Sequence, residues 1–155
     1  MKWYKVLAKI CSSLGMRKVI FNRNGTRPYL ERYYLISTRW ISYIAPSLSY
    51  RIVLHRTLES DDSGLHDHPW NWYSRLLSGG YWESTLEGKF WRSSKDGWRK
   101  RTASDYHRLE LDDTSNEETW SLFVMGPKIK DWGFLSKDGQ WVHWKEYLDN
   151  MTKYT

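Results

Sequence analysis

The sequence predicts an all-β domain closed into a barrel or antiparallel sandwich, and two observations carry that prediction. Turn signals recur at short intervals, at Asn24-Gly25, Gly79-Gly80, Glu87-Gly88, Asp96-Gly97 and Asp138-Gly139, each between short apolar runs. Those runs are aromatic: the 155 residues include 11 tryptophans and 11 tyrosines. Such residues favour strands and bring a large apolar body with a polar tip, suited to filling a small barrel or lining a pocket. The length is that of one domain able to bury a core without staples. We therefore expect a single domain over 1–155, with a helix in 1–15, the barrel in 16–147 and a tail in 148–155.

In chain order, Trp3, Val6, Leu7, Ile10 and Leu14 recur at helical spacing with Lys2, Lys5 and Lys9 opposite, which predicts a helix packed on the barrel. Lys18 to Asn22 and Pro28 to Ser37 flank Asn24-Gly25 as a hairpin. Residues 38–48, with Trp40, Ile41, Ile44 and Pro46, fit either a short helix or an irregular crossing. Tyr50 to Leu58 reads as a strand, and Glu59 to Gly64 as a polar loop that delivers the chain to His66. Asn71 to Ser78 and Tyr81 to Glu83 read as two strands about a Gly-Gly turn, and Lys145 to Tyr154 as a short terminal helix.

Lysine and arginine number 24 against 18 acids, a net charge of +6 that would steer an anionic ligand or keep the protein soluble. The compact basic run Trp98-Arg99-Lys100-Arg101 reads as an exposed hairpin end, and no helix-turn-helix, zinc-finger or RNP pattern accompanies it, so nucleic acid is not the expected partner. The single cysteine, Cys11, has no partner for an intrachain disulfide, and no apolar run approaches the roughly 20 residues of a membrane span. A cytoplasmic location, with no membrane partner, is the expectation.

The chemistry concentrates in Leu65-His66-Asp67-His68-Pro69-Trp70. On an extended segment, side chains at i and i+2 share a face, so His66 and His68 can grip one metal ion. His107, entering a later apolar run, would supply a third ligand once barrel closure brings distant strands together. His55 would stand behind the site, and His143, among Trp141, Val142 and Trp144, reads as structural. Arg51, Arg56, Arg75 and Arg108 are candidates to clamp a carboxylate or phosphate. Tyr73 and Tyr81 are candidate proton donors, and Glu83 is a candidate acid/base group or ligand. In Gly126 to Phe134, glycine and proline read as turn-forming; the rival reading is a phosphate cradle using Lys128 or Lys130.

A His-x-His segment, a glycine turn and a distant single His together resemble the cupin family. Tyr29 to Tyr33, His55-Arg56 with Ser60-Asp61, the His66 motif, Gly79-Gly80-Tyr81 with Glu83, His107-Arg108, Gly126-Pro127-Lys128 with Trp132-Gly133-Phe134, and Trp141 to Trp144 further resemble small cupin-like proteins of bacteriophages and bacteria. The resemblance implies a cupin barrel (a double-stranded β-helix or jelly roll) with a short N-terminal helix, a possible C-terminal one, and a metal site. It also implies a glutamate ligand four or five positions after the second histidine. Here that position falls on Tyr73, or on Ser74 with one residue of slack, which leaves a three-histidine site like that of thiol dioxygenase-type cupins. The expected cofactor is a divalent ion, Fe(II) first, with Zn, Mn or Ni as alternatives. The expected function is metal-dependent, O₂-dependent oxidation of a small anionic molecule. Its rivals are a non-catalytic nucleotide- or sugar-binding cupin and a sugar-nucleotide isomerase or epimerase. A homodimer is the plausible assembly, in a host cytoplasm if phage-encoded.

Overall fold

The computed structural model describes residues 1–22, 24–38, 43–61 and 64–152. Among the described residues, helix α1 (Trp3–Ser13) precedes eleven strands and helix α2 (Trp144–Thr152). The strands are β1 (Arg17–Phe21), β2 (Pro28–Ser37), β3 (Arg51–Thr57), β4 (Trp72–Ser78), β5 (Gly80–Thr85) and β6 (Gly88–Ser93), followed by β7 (Arg99–Arg101), β8 (Arg108–Leu111), β9 (Thr119–Met125), β10 (Gly133–Leu135) and β11 (Trp141–His143). The last strand ends at His143, so residues 144–147 belong to α2 and not to the barrel. Of the ambiguous 38–48 stretch, Trp40 and Ile41 lie outside the described residues, and Pro46–Leu48 is a single 3-10 turn. Tyr154, expected to end the terminal helix, also lies outside them. No helix among the described residues is long and apolar enough to cross a membrane.

The strands form an antiparallel six-stranded sheet, in the order β1-β2-β3-β9-β4-β7, and a three-stranded sheet β6-β5-β8. A third pair, β10-β11, is tied to the smaller sheet through one residue: His66 bridges His107 on one side and Phe134 on the other. Its backbone N–H donates to the His107 carbonyl (3.0 Å), and the His107 N–H donates back (2.9 Å). The His66 motif thus joins the β10-β11 pair to the smaller sheet.

Alternation explains what each sheet buries. On β2, β3 and β9 one set of side chains, Tyr33, Leu54 and Trp120, turns outward and is covered by Tyr4, Ala8 and Cys11 of α1. Trp120 stacks on Tyr33 with ring centroids 5.7 Å apart, and the Tyr4 hydroxyl donates to Ser78 Oγ at 2.8 Å. The helix is therefore rotated from the expected register. Trp3, Val6, Ile10 and Leu14 are exposed, because the small Ala8 and Cys11 let the helix approach the sheet closely and Tyr4 there finds a polar partner.

The Gly79-Gly80 pair also differs from a simple turn, since the strands it joins do not pair. β4 belongs to the larger sheet and β5 to the smaller, so the pair carries the chain across the sandwich edge. Gly79 sits at φ +66°, and a Cβ there would lie 2.6 Å from Thr119 Oγ1. Only glycine meets both demands.

Candidate metal centre and its cavity

Between the sheets lies a cavity of about 320 Å³, lined from β2, β3, β4 and β9 on one side and from Tyr81, His107 and Leu109 on the other. His66, His68 and His107 all line it, and one nitrogen of each lies within 4.8 Å of the others. The motif is not a full strand. His66 alone is bridged, the peptide alternates through Asp67, and His68 returns to the side of His66, so the i, i+2 geometry holds over three residues.

Asp67 explains why the turn is rigid. It is fully buried and faces away from the cavity, accepting from the Gly133 N–H (2.8 Å), the Trp141 indole (3.0 Å) and the Lys130 ammonium. Gly133 is pinned there because a Cβ would meet the Val142 carbonyl at 2.2 Å. The sequence reading missed Asp67, although its place between the two histidines marks the opposite face. Lys130 is thereby engaged, and Lys128 pairs with Asp131 at 2.5 Å, so neither builds a phosphate cradle.

Glu83 is 1% exposed and does not line the cavity. Its Oε1 lies 3.1 Å from His107 Nδ1, while Oε2 accepts from Arg92 (2.8 Å) and Arg101 (3.0 Å), with Arg99 at 3.7 Å. Burial pushes this carboxyl up, but the His107 hydrogen bond and the arginines outweigh it and hold it at about 2. An ionised Glu83 fixes the proton of His107 on Nδ1 and turns the Nε2 lone pair inward. The geometry departs from both expectations for Glu83, as an acid/base group in the pocket and as a ligand beside the histidines: it stands off the cavity wall, behind His107, and orients that ring. Arg99 and Arg101 likewise depart from the exposed hairpin end expected of their basic run.

His107 Nε2 lies 2.8 Å from His68 Nε2. Two nitrogens at right angles, each about 2.1 Å from one ion, would stand about 3 Å apart, so this spacing suits shared ligation. Two of the imidazoles, His66 and His68, are held toward the neutral form. Burial drives His68 well below its ordinary 6.5, with the neighbouring His107 and His66 adding to the effect, and burial lowers His66 against the pull of Asp61. Neutral nitrogen donors are what a borderline dication takes. Ser74, at the position where a glutamate was anticipated, faces the cavity, whereas Tyr73 does not.

The other expected site residues divide by parity. Tyr81 is buried and lines the cavity; its hydroxyl is held protonated by burial and by Glu83. Tyr73 and Arg75 alternate outward on β4 and are exposed. Arg56 points to the outer face of β3, where it pairs with Glu31 and Glu118, and Arg108 pairs outside β8 with Glu110 at 3.1 Å. Arg51 lies over Trp70 and does not line the cavity. None of these arginines reaches the cavity: Arg56, Arg75 and Arg108 each occupy the strand position next to a lining residue, which faces out, and Arg51 shares the parity of His55 and Thr57 but stands at the far end of β3. His143 stands 3.8 Å from Asp131, outside the cavity. His55 does line it, its ring stacked on Phe123 at 4.9 Å.

Two polar pairs went unrecognised in the sequence. Arg32, opposite His55 in the β2–β3 register, donates from Nε to His55 Nε2 at 3.0 Å. Asp61 accepts from the Tyr29 hydroxyl and from the Leu109 N–H (2.7 Å). The signal for Arg32 was alternation within Tyr29 to Tyr33, where Leu30 and Arg32 share the face opposite Glu31 and Tyr33.

No family model and no curated protein matches this chain. Solved structures do match in shape. A cupin-2 domain from Rhodospirillum rubrum aligns with a TM-score of 0.57 at 10% identity, over 79% of this chain and 76% of that one. A protein with a cupin-like fold from Ralstonia eutropha aligns at 0.55 and 11%, over 90% and 84%. This chain has a cupin fold. The Fe(II) form of HppE is a further neighbour, at 0.51 and 13% identity, covering 72% of this chain and 57% of that one. At such identities the likeness to these structures speaks for the fold alone.

Proposed function

We propose that the protein is a metal-dependent cupin enzyme that oxidises a small anionic molecule with O₂, using a divalent ion, Fe(II) first, held by His66, His68 and His107. The observation that carries the reading is the convergence of three imidazoles on one cavity wall, one of them oriented by a buried carboxylate. When bound, the ion would supply Lewis-acid and one-electron chemistry at the positions the protein leaves open.

The remaining steps belong to the chain's own side chains. Glu83 keeps His107 in the donor-inward tautomer. Trp70, Trp72, Phe123 and Trp132 line the cavity and exclude water, which strengthens every polar contact inside it. Tyr81, kept protonated, holds a proton at its hydroxyl for donation to a substrate oxygen. Three neutral ligands leave the ion's charge uncompensated, which favours an anion beside it.

The test is metal analysis of untagged protein, followed by oxygen uptake with Fe(II) present and absent. About one ion per chain with Fe-dependent uptake on a small acid supports the reading, and a protein that takes up no divalent ion refutes it.

A further inference from the structure

We propose that Arg32 is the anchor for the substrate's charge, and that the ligand is a small aromatic monocarboxylate rather than a phosphate or a sugar. This deepens the reading above and rests on it for the reaction, though not for the binding.

Arg32 is the arginine that lines the cavity among the described residues. Its Nε is committed to His55 Nε2 at 3.0 Å, and His55 is itself clamped by stacking on Phe123 and kept neutral by burial and by Arg32. A neutral ring accepting from Nε fixes the plane of the guanidinium. Its two terminal nitrogens have no partner among the described residues. What remains is the Nη1–Nη2 edge, the fork that matches two carboxylate oxygens.

The neighbouring acid does not compete for that edge. Asp61 spends its oxygens on Tyr29 and on the Leu109 N–H. The indole N–H of Trp72, a residue that lines the cavity and is 2% exposed, likewise has no acceptor among the described residues, although the nitrogen itself is closed to solvent.

Charge and shape then select the class. Arg32 offers one fork for one carboxylate, and no lysine among the described residues lines the cavity to add further charge beside that of a bound ion. The walls are Trp70, Trp72, Phe123 and Trp132 with aliphatic neighbours, and aromatic walls favour a flat apolar body over a polyhydroxylated one. The volume, about 320 Å³, lies at the small end of ligand cavities, which points to a single ring system.

The experiment is calorimetric titration of full-length protein loaded with Zn(II), so that binding is read without turnover, repeated on metal-free protein. The probes are benzoate, phenylacetate and indole-3-acetate, each against its neutral amide, with phenyl phosphate and glucose 6-phosphate as rivals. At least one acid should bind tighter than its amide, and Arg32→Gln should weaken that acid about 10- to 100-fold while leaving the amide and the metal content unchanged. Arg32→Lys should restore part of the loss. The acid-against-amide comparison on wild type stands even if Arg32→Gln misfolds. Acids no tighter than amides, no binding by any of the three acids, a preference for either phosphate, or full acid affinity in a folded Arg32→Gln would overturn the proposal. Arg32-dependent acid binding in a protein that takes up no metal would refute the oxidation reading and leave this one standing; metal uptake without acid binding would do the reverse.

Discussion

Replacing Glu83 by glutamine removes one negative charge from among three arginines and the partner of His107, and its cost can be worked from the structure in two ways. The first is the burial of the pair: the arginine side chains are 15–22% exposed and Glu83 is 1% exposed, so the ions left behind are poorly hydrated. Breaking a buried pair from one side costs about 3–5 kcal/mol. The second is proton linkage. Glu83 is held at about 2 instead of its ordinary 4.5, which at about 1.36 kcal/mol per pH unit corresponds to about 3 kcal/mol. A depressed carboxyl contributes its stability above the unfolded value and loses it as pH falls toward the folded one. The contribution is therefore full above pH 4.5 and gone near pH 2. Urea unfolding of wild type and Glu83→Gln at pH 7 should differ by about 3 kcal/mol, on the order of 10 °C in Tm for a chain of this size. The gap should narrow steadily between pH 4.5 and 2. Metal affinity should fall about 10- to 100-fold as His107 loses its orienting partner. A variant as stable as wild type at pH 7, or a gap that ignores pH across that window, would refute the account of Glu83.

Four further outcomes are expected. His68→Ala and His107→Ala should lose most bound metal by elemental analysis, while His143→Ala keeps it; retention in the first two would remove them from the ligand set. Asp67→Asn should cost about 2–4 kcal/mol in urea unfolding, since it removes the charge partner of Lys130 and weakens the two contacts to β10 and β11 at Gly133 and Trp141. Because His55 stays neutral when folded but titrates near 6.5 when unfolded, wild-type stability should decline as pH drops below 6.5, and His55→Gln should flatten that slope by up to about 1.4 kcal/mol per pH unit. Tyr73→Phe and Arg75→Ala, on the outer face of β4, should change stability by under about 0.5 kcal/mol and leave metal content and acid binding unaltered; an effect on binding would put β4's outward face back in contact with the site.

The fold was legible because its signals are local. Asn24-Gly25, Glu87-Gly88 and Asp138-Gly139 each sit between antiparallel neighbours, and His66 and His68 could be paired from their spacing, with His107 joined to them through the cupin resemblance. What escaped was the direction in which single side chains point. Arginines at 56, 75 and 108 were candidates because they flank lining residues, yet the position beside a lining residue on a strand is the one that faces out. Arg32 obeyed the same rule and was overlooked, since Leu30 gave its face no polar companion to draw attention. The α1 register was misread for a different reason. Its large apolar residues form one stripe, but the stripe that packs is the one with small residues and a tyrosine whose hydroxyl reaches Ser78, a partner 74 residues away that no local pattern reveals.

The histidines serve the fold unequally, which decides how their variants can be interpreted. His66 links the smaller sheet to β10 by its backbone: its N–H and carbonyl bond to His107, and the flanking Leu65 and Asp67 bond to Leu135 and Gly133. Truncation to alanine keeps every one of those bonds. His107 differs, because its ring is the partner of Glu83, and removing it leaves a buried carboxylate facing only arginines. Lost metal in His107→Ala therefore mixes ligand loss with a disturbed charge cluster, whereas lost metal in His66→Ala, with stability near wild type, reports on ligation itself. Should His66→Ala unfold the protein instead, the ring would have to be packing the cavity wall against Trp132 and Phe134, the aromatic neighbours it meets at 6.2 and 5.8 Å, and its place in the ligand set would then need a size-matched substitution such as His66→Gln to be read.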